Sequence, residues 1–164
     1  MSAVQALLER FASWTDPRTV DGNPLRLVCT LSPPASPDEI TKAWPGVLVP
    51  PELHEFWLAA GAAELFVDAD HGQWGLRIFS PTVSATRSRE EMVRRPKEFA
   101  MDDLVIGEFL GDQELLVIVR DGHVMVALPI DRRQDWFRPT TSLSDFLHRF
   151  LMTNGAKFWE RPRN

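Results

Sequence analysis

Three features of the sequence predict an α+β fold, a single domain in which helices pack on a largely antiparallel sheet. The apolar runs LVIGEFLG (104–111), ELLVIVR (114–120) and HVMVALPI (123–130) follow one another with only Asp112-Gln113 and Asp121-Gly122 between them. Gaps that short cannot hold a crossover helix, so the three runs pair as an antiparallel meander. Helical stripes stand at the two ends instead: Val4, Leu7, Leu8, Phe11 and Trp14, then Leu143, Phe146, Leu147, Phe150 and Leu151. The length of 164 residues, 44% of them apolar, suits one core and is short for two. The expected sheet has about five to six strands.

The elements follow in chain order. Residues 2–14 read as an amphipathic helix ended by Asp16-Pro17, with a polar loop at 15–24 and a strand in LRLVCTL (25–31). Ser36-Pro37-Asp38-Glu39 is a helix start, because the Ser hydroxyl caps the amide of Glu39, whose carboxylate reaches back, and Pro37 fits the first turn. That helix runs to about Trp44. Pro51 opens the next, over 51–60, with Leu53, Phe56, Trp57 and Ala60 on its apolar side and Gly61 in a left-handed turn at its end. Residues 64–68 and 73–79 form a hairpin around Ala69-Asp70-His71-Gly72. The basic segment TRSREEMVRRPK (86–97) holds a short helix capped by Thr86 or Ser88, stopped at Pro96 and carrying a solvated Arg face. Leu115 to Val119 reads as a central strand covered on both faces. DWFRP (135–139) adds an edge strand or a loop, and Ser142 caps a final helix ending near Asn154-Gly155, before a loose basic tail at 155–164.

Motifs that suggest chemistry fail on their spacing. His54 and Glu55 lie off the apolar stripe, and the second His that a zinc site needs four residues on is replaced by Leu58. Asp68, Asp70 and Gly72 resemble the start of a calcium loop, but the twelfth position is Phe79, not a bidentate Glu, so a turn is expected. The lone Cys29 sits in an apolar run with no neighbouring base and reads as a buried thiol; no disulfide can form within the chain. No second titratable group is tied by spacing to His123. Catalytic residues, metals and cofactors are therefore expected to be none.

The net charge of −5 is unevenly spread: residues 86–97 hold five basic and two acidic side chains, and residues 98–146 hold ten acids against four Arg. An acidic chain repels nucleic acid and steers basic partners. No apolar run approaches the ~20 residues of a membrane span, and MSAVQALLERF lacks a basic leader, so a cytoplasmic chain is expected.

The order of short motifs is similar to that of a known group. Ile40, LVPPELHEFW (48–57), Gly61, a hairpin, LVIGEFLGD (104–112), LLVIV (115–119) and SLSDFL (142–147) together resemble the SUKH superfamily, which includes the Smi/Knr cell-wall-synthesis regulators of yeast. The likeness spans about residues 36–151. Members commonly carry an Asn-Gly-Gly turn where this chain reads Ala60-Gly61-Ala62-Ala63. The resemblance implies an antiparallel-rich α+β domain without enzymatic activity. For a bacterial chain it implies an immunity protein that binds and neutralises a cognate toxin, often a nuclease.

On that reading the partner is a toxin domain with a basic surface, and the expected contacts are Asp102, Asp103, Asp112 and Glu114 near the meander, Asp68, Asp70 and Trp74 on the hairpin, and Trp136 with Arg138. Trp136 and Phe137 would point to opposite faces of an extended segment, leaving one exposed. A scaffold of the Smi/Knr type would also bind protein. A ligand binder or enzyme would need the fold to gather His54, His71, His123 and Asp131.

Overall fold

Seven strands form one sheet whose spatial order is their chain order, every neighbouring pair antiparallel: β1 (Leu27–Leu31), β2 (Ala63–Asp68), β3 (Leu76–Ile78), β4 (Leu104–Phe109), β5 (Glu114–Ile118), β6 (Val124–Ala127) and β7 (Phe137–Thr140). Among the described residues five α-helices accompany it: α1 (Ala3–Ala12), α2 (Pro37–Ala43), α3 (Pro51–Ala59), α4 (Pro81–Arg94) and α5 (Leu143–Met152). The computed structural model of the chain describes residues 1–15 and 26–160. The stop at Asp16-Pro17, nearly all of the 15–24 loop, Leu25 and the end of the basic tail lie outside the described residues. The α+β class is as predicted, and the sheet is wider than expected because β1 and β7 both pair into it, each with a register shift.

Alternation along the strands builds two cores. Leu104, Ile106, Leu116, Ile118, Val124 and Val126 face the larger one, which α1, α3 and α5 complete with Phe11, Trp57 and Phe150. Val105, Leu115, Val117 and Met125 face the smaller one, closed by Phe79, Phe99 and Trp136. β5 is thus buried on both sides, as its unbroken apolar run requires. Only the β4–β7 half of this second face is sealed.

Helix starts follow the Ser-Pro signal more widely than expected. Ser36 caps Glu39 at 3.1 Å as read from the sequence, and α4 repeats the device: Ser80 caps Val83 at 3.2 Å and Pro81 fills the first turn. The helix therefore begins before Thr86 and Ser88, the expected caps. Ser88 instead lies inside the fold. Its hydroxyl accepts from the Val105 amide at 2.8 Å, and the Ser84 hydroxyl donates to the Val105 carbonyl at 2.6 Å. Beyond the short β3, two side chains of α4 take the place of a strand along β4.

Gly61 also departs from expectation. It is not left-handed; the cap Ala60 is extended, and the Gly61 amide donates to Pro33 at 2.9 Å. Glycine is required for closeness, since a Cβ would lie 2.6 Å from the Pro33 carbonyl oxygen. Gly61→Ala should cost about 2 kcal/mol, read as a lower urea midpoint at unchanged m-value. The left-handed positions at the end of α5 are Asn154 and Gly155, as predicted.

The tail is not loose where it is described. Phe158 and Trp159 form a 3₁₀ turn with Glu160 and pack on Phe146, with ring centroids 5.8 and 5.6 Å away. Lys157 binds both Asp112 and Glu114 and lies 5.6 Å from the Trp74 ring centre. This clamp fixes the 155–160 segment across the β4–β5 turn.

Candidate functional site

Among the described residues no helix covers the β1–β3 half of the second sheet face and the near end of β4, which form a groove of about 400 Å³. Register builds its floor: Thr30 lies opposite Glu64, Glu64 opposite Arg77 and Arg77 opposite Glu108, one residue from each of four adjacent strands. The first turns of α4 supply a wall of Ser80, Val83 and Arg87. Arg77 bridges Glu64 at 3.4 Å and Glu108 at 3.2 Å, and Arg87 reaches Glu108 at 3.2 Å and Glu90 at 3.7 Å. The Arg87 guanidinium also lies 5.3 Å from the Phe79 ring centre. The result is a row of alternating charge on a stiff backbone, its Glu64 and Arg77 side chains 42% and 46% exposed.

Seven of the nine residues singled out from the sequence fall into two groups. Asp68, Asp70, Trp74, Asp112 and Glu114 meet where the β2–β3 and β4–β5 turns pack side by side, with Gly111 pressed on the Gln73 carbonyl. Asp102 and Asp103 precede β4, at the opposite end of a six-residue strand, roughly 20 Å away.

Four of the nine are buried and have internal work. Asp68 caps its own turn by accepting from the amides of Asp70 at 3.1 Å and His71 at 3.3 Å. Asp103 accepts from the Ala100 amide at 2.8 Å and from Arg133 at 3.0 Å, and this pairing holds the Arg133 guanidinium above its ordinary pKa. Glu114 holds Lys157. Trp136 packs against Phe99 with the rings tilted at 54° and 4.9 Å between centroids, and it donates to the Asp131 carbonyl at 3.3 Å. The expectation that Trp136 or Phe137 is exposed is corrected: they do point to opposite faces, but the sheet has a core on each, and Phe137 is half-buried against the larger one.

Asp70, Asp102, Asp112 and Arg138 are exposed, the first two opposite Arg26 at 3.1 Å and Arg120 at 3.8 Å. The Arg face of the 86–97 segment is solvated at Arg89 and Arg94, while Arg87 is half-buried in the groove.

The titratable groups that an enzyme would gather are scattered. His71 and His123 stand in the β2–β3 and β5–β6 turns, at opposite ends of the sheet, and His54 lies on α3. His123 pairs with Asp121 at 2.7 Å, and bonds from His123, first its amide, hold the Asp121 carboxyl below its usual range. Burial pushes the Cys29 thiol up to about 11, with a smaller opposing effect of the Phe66 amide that donates to it, so it stays protonated at neutral pH. Among the described residues no group of three His, Cys, Asp or Glu is placed to hold a metal ion. No helix among them is long and apolar enough to cross a membrane.

Neither a scan of protein-family models nor a search of curated proteins finds a match for this chain. The groove is therefore assessed on its own chemistry. Sequence reasoning passed over Glu64, Arg77, Arg87 and Glu108 because each looks like a lone surface charge. The signal was period two: Glu64 and Arg77 are the polar positions inside Ala63–Leu65 and Leu76–Ile78, and Glu108 is the carboxylate within LVIGEF.

Proposed function

We propose that this chain is a non-enzymatic protein-binding domain of the SUKH type, an immunity protein that occupies a cognate toxin domain in the cytoplasm. The uncovered half of the second sheet face carries this reading. Its charges are set by strand register and pinned by ion pairs, so little side-chain entropy is lost on docking, which favours a macromolecular contact. The exposed Asp70, Asp102 and Asp112 add the long-range attraction for a basic partner that an overall charge of −5 supplies.

The test is co-expression with any toxin-like domain encoded beside this gene. Growth protection and co-purification of the pair are expected. Toxicity undiminished by the chain, with no complex recovered, overturns the proposal. Reversing the exposed Asp70 and Asp102 to Lys should slow association by about tenfold at low salt, with the difference shrinking as salt rises. Asp103 is excluded from that test because it is buried.

A further inference from the structure

We infer that the groove over β1–β4 receives a helix of the partner, laid across the strands, with a cationic, an anionic and a cationic side chain on successive turns. The inference rests on the protein-binding reading and adds to it a place, a partner element and a charge pattern.

Spacing selects a helix. Glu64, Arg77 and Glu108 sit directly opposite one another on adjacent strands, so they are about 4.8 Å apart in the hydrogen-bonding direction. Side chains at i, i+4 and i+7 of a helix advance by about 4.5 to 6 Å per step and lie on one face. A strand laid along the same row would present one side chain every 6.5 to 7 Å or so, and would lose register after the first charge.

Length agrees as well. Four strands span about 14 to 19 Å, matching a helix of roughly three turns. α4 shows that β4 accepts a helix through polar side chains: Ser84 and Ser88 bond the Val105 backbone at the edge of the strand, and Arg87 engages Glu108.

Charge selects the pattern. The floor reads Glu64, Arg77, Glu108 from β2 to β4, so the complementary face reads Lys or Arg, then Glu or Asp, then Lys or Arg. Val83 on the wall, 44% exposed, and the methyl of Thr30 offer the apolar flank that an amphipathic helix needs.

The probe is a fluorescein-labelled helical peptide of about four turns, bearing Lys, Glu and Lys at i, i+4 and i+7 on an Ala/Gln background, with a control bearing Glu, Lys and Glu. Binding to the full chain is followed by anisotropy and by amide shifts in the isotope-labelled protein. Three solvated pairs should make the first peptide bind about tenfold tighter than the control. Shifts should centre on Thr30, Glu64, Arg77 and Glu108. The variant Glu64→Arg/Arg77→Glu/Glu108→Arg/Arg87→Glu inverts the floor, keeps the pairings of 64 with 77, 77 with 108 and 87 with 108, and should reverse the preference. Should it not fold, Glu64→Gln/Glu108→Gln should abolish the preference while leaving the melting curve nearly unchanged.

Equal binding of both peptides, or shifts centred on the Asp70 and Asp112 turns, overturns the inference. A toxin domain bound equally well by the wild-type and charge-swapped chains also refutes the groove while leaving protein binding intact. A reversed peptide preference without any toxin complex upholds the groove and removes the immunity role.

Discussion

Phe66→Ala is expected to lower stability by about 4 kcal/mol, and in a domain of this size to lower the melting temperature by roughly 10 °C or more. The ring is fully buried and makes edge contacts with Phe11 at 5.8 Å, Trp14 at 4.7 Å and Phe150 at 5.3 Å, centroid to centroid. It thus joins the first helix, the second strand and the last helix. Truncation removes a partner from all three at once. The backbone adds to the sensitivity: Phe66 has φ of 54°, in an irregular part of β2 where the register with β1 slips. Gly155 is fitted to the same side chain, since a Cβ there would lie 2.5 Å from the Phe66 Cβ and 2.6 Å from its Cγ. Gly155→Ala in the Phe66→Ala background should therefore cost less than Gly155→Ala alone by the part due to the ring, while the contact with the Cβ and the cost of φ 82° remain. Chemical denaturation of the two single variants and the double variant measures that coupling. Additive losses would show that Phe66 and Gly155 do not constrain each other.

Lys157→Met is expected to cost about 3 kcal/mol. Its ammonium is taken up by Asp112 and Glu114 over the rings of Trp74 and Phe109. Removing it leaves Glu114, itself buried, as an uncompensated carboxylate. Adding Glu114→Gln should recover most of the loss, because the orphaned charge and not the missing attraction is the larger part of the cost. Burial pulls the Lys157 pKa down, but the bonds to Asp112 and Glu114 outweigh it and the net shift is upward from 10.5. The sign follows: the stabilisation is complete below pH 10.5 and is lost as pH rises through the higher folded value. Unfolding curves from neutral to strongly alkaline pH should show the wild type losing its advantage over Lys157→Met. Trp159 fluorescence and proteolysis after 155 report whether the tail is released. A tail that stays protected in Lys157→Met would mean that Phe158 and Trp159 alone hold it.

The elements that local chemistry determines were legible. Asp121-Gly122 marked a hairpin, Ser36 and Ser142 marked helix starts, and the apolar LLVIV run marked a strand with cover on both sides. What escaped was set by distant neighbours. Nothing near Ser84 and Ser88 announces that their hydroxyls will serve the backbone of Val105, and nothing near Gly61 announces the Pro33 carbonyl. The carboxylates were misjudged for the same reason. Asp68, Asp103 and Glu114 look like surface acids until the fold supplies an amide or a cation that makes burial tolerable. The groove was the least legible feature, since its row of charges exists only across strands, whereas a sequence displays what lies along them.

The meander has a bearing on how the protein is made. Each strand pairs with the strand that precedes it in the chain, so the sheet can assemble step by step as the ribosome delivers it. α1 cannot finish in that way: its apolar stripe closes against α5, which follows the whole sheet in the chain. Until those residues clear the exit tunnel, Leu7, Leu8 and Phe11 lack their final cover, and a nascent chain stalled before α5 is the form that chaperones would have to hold.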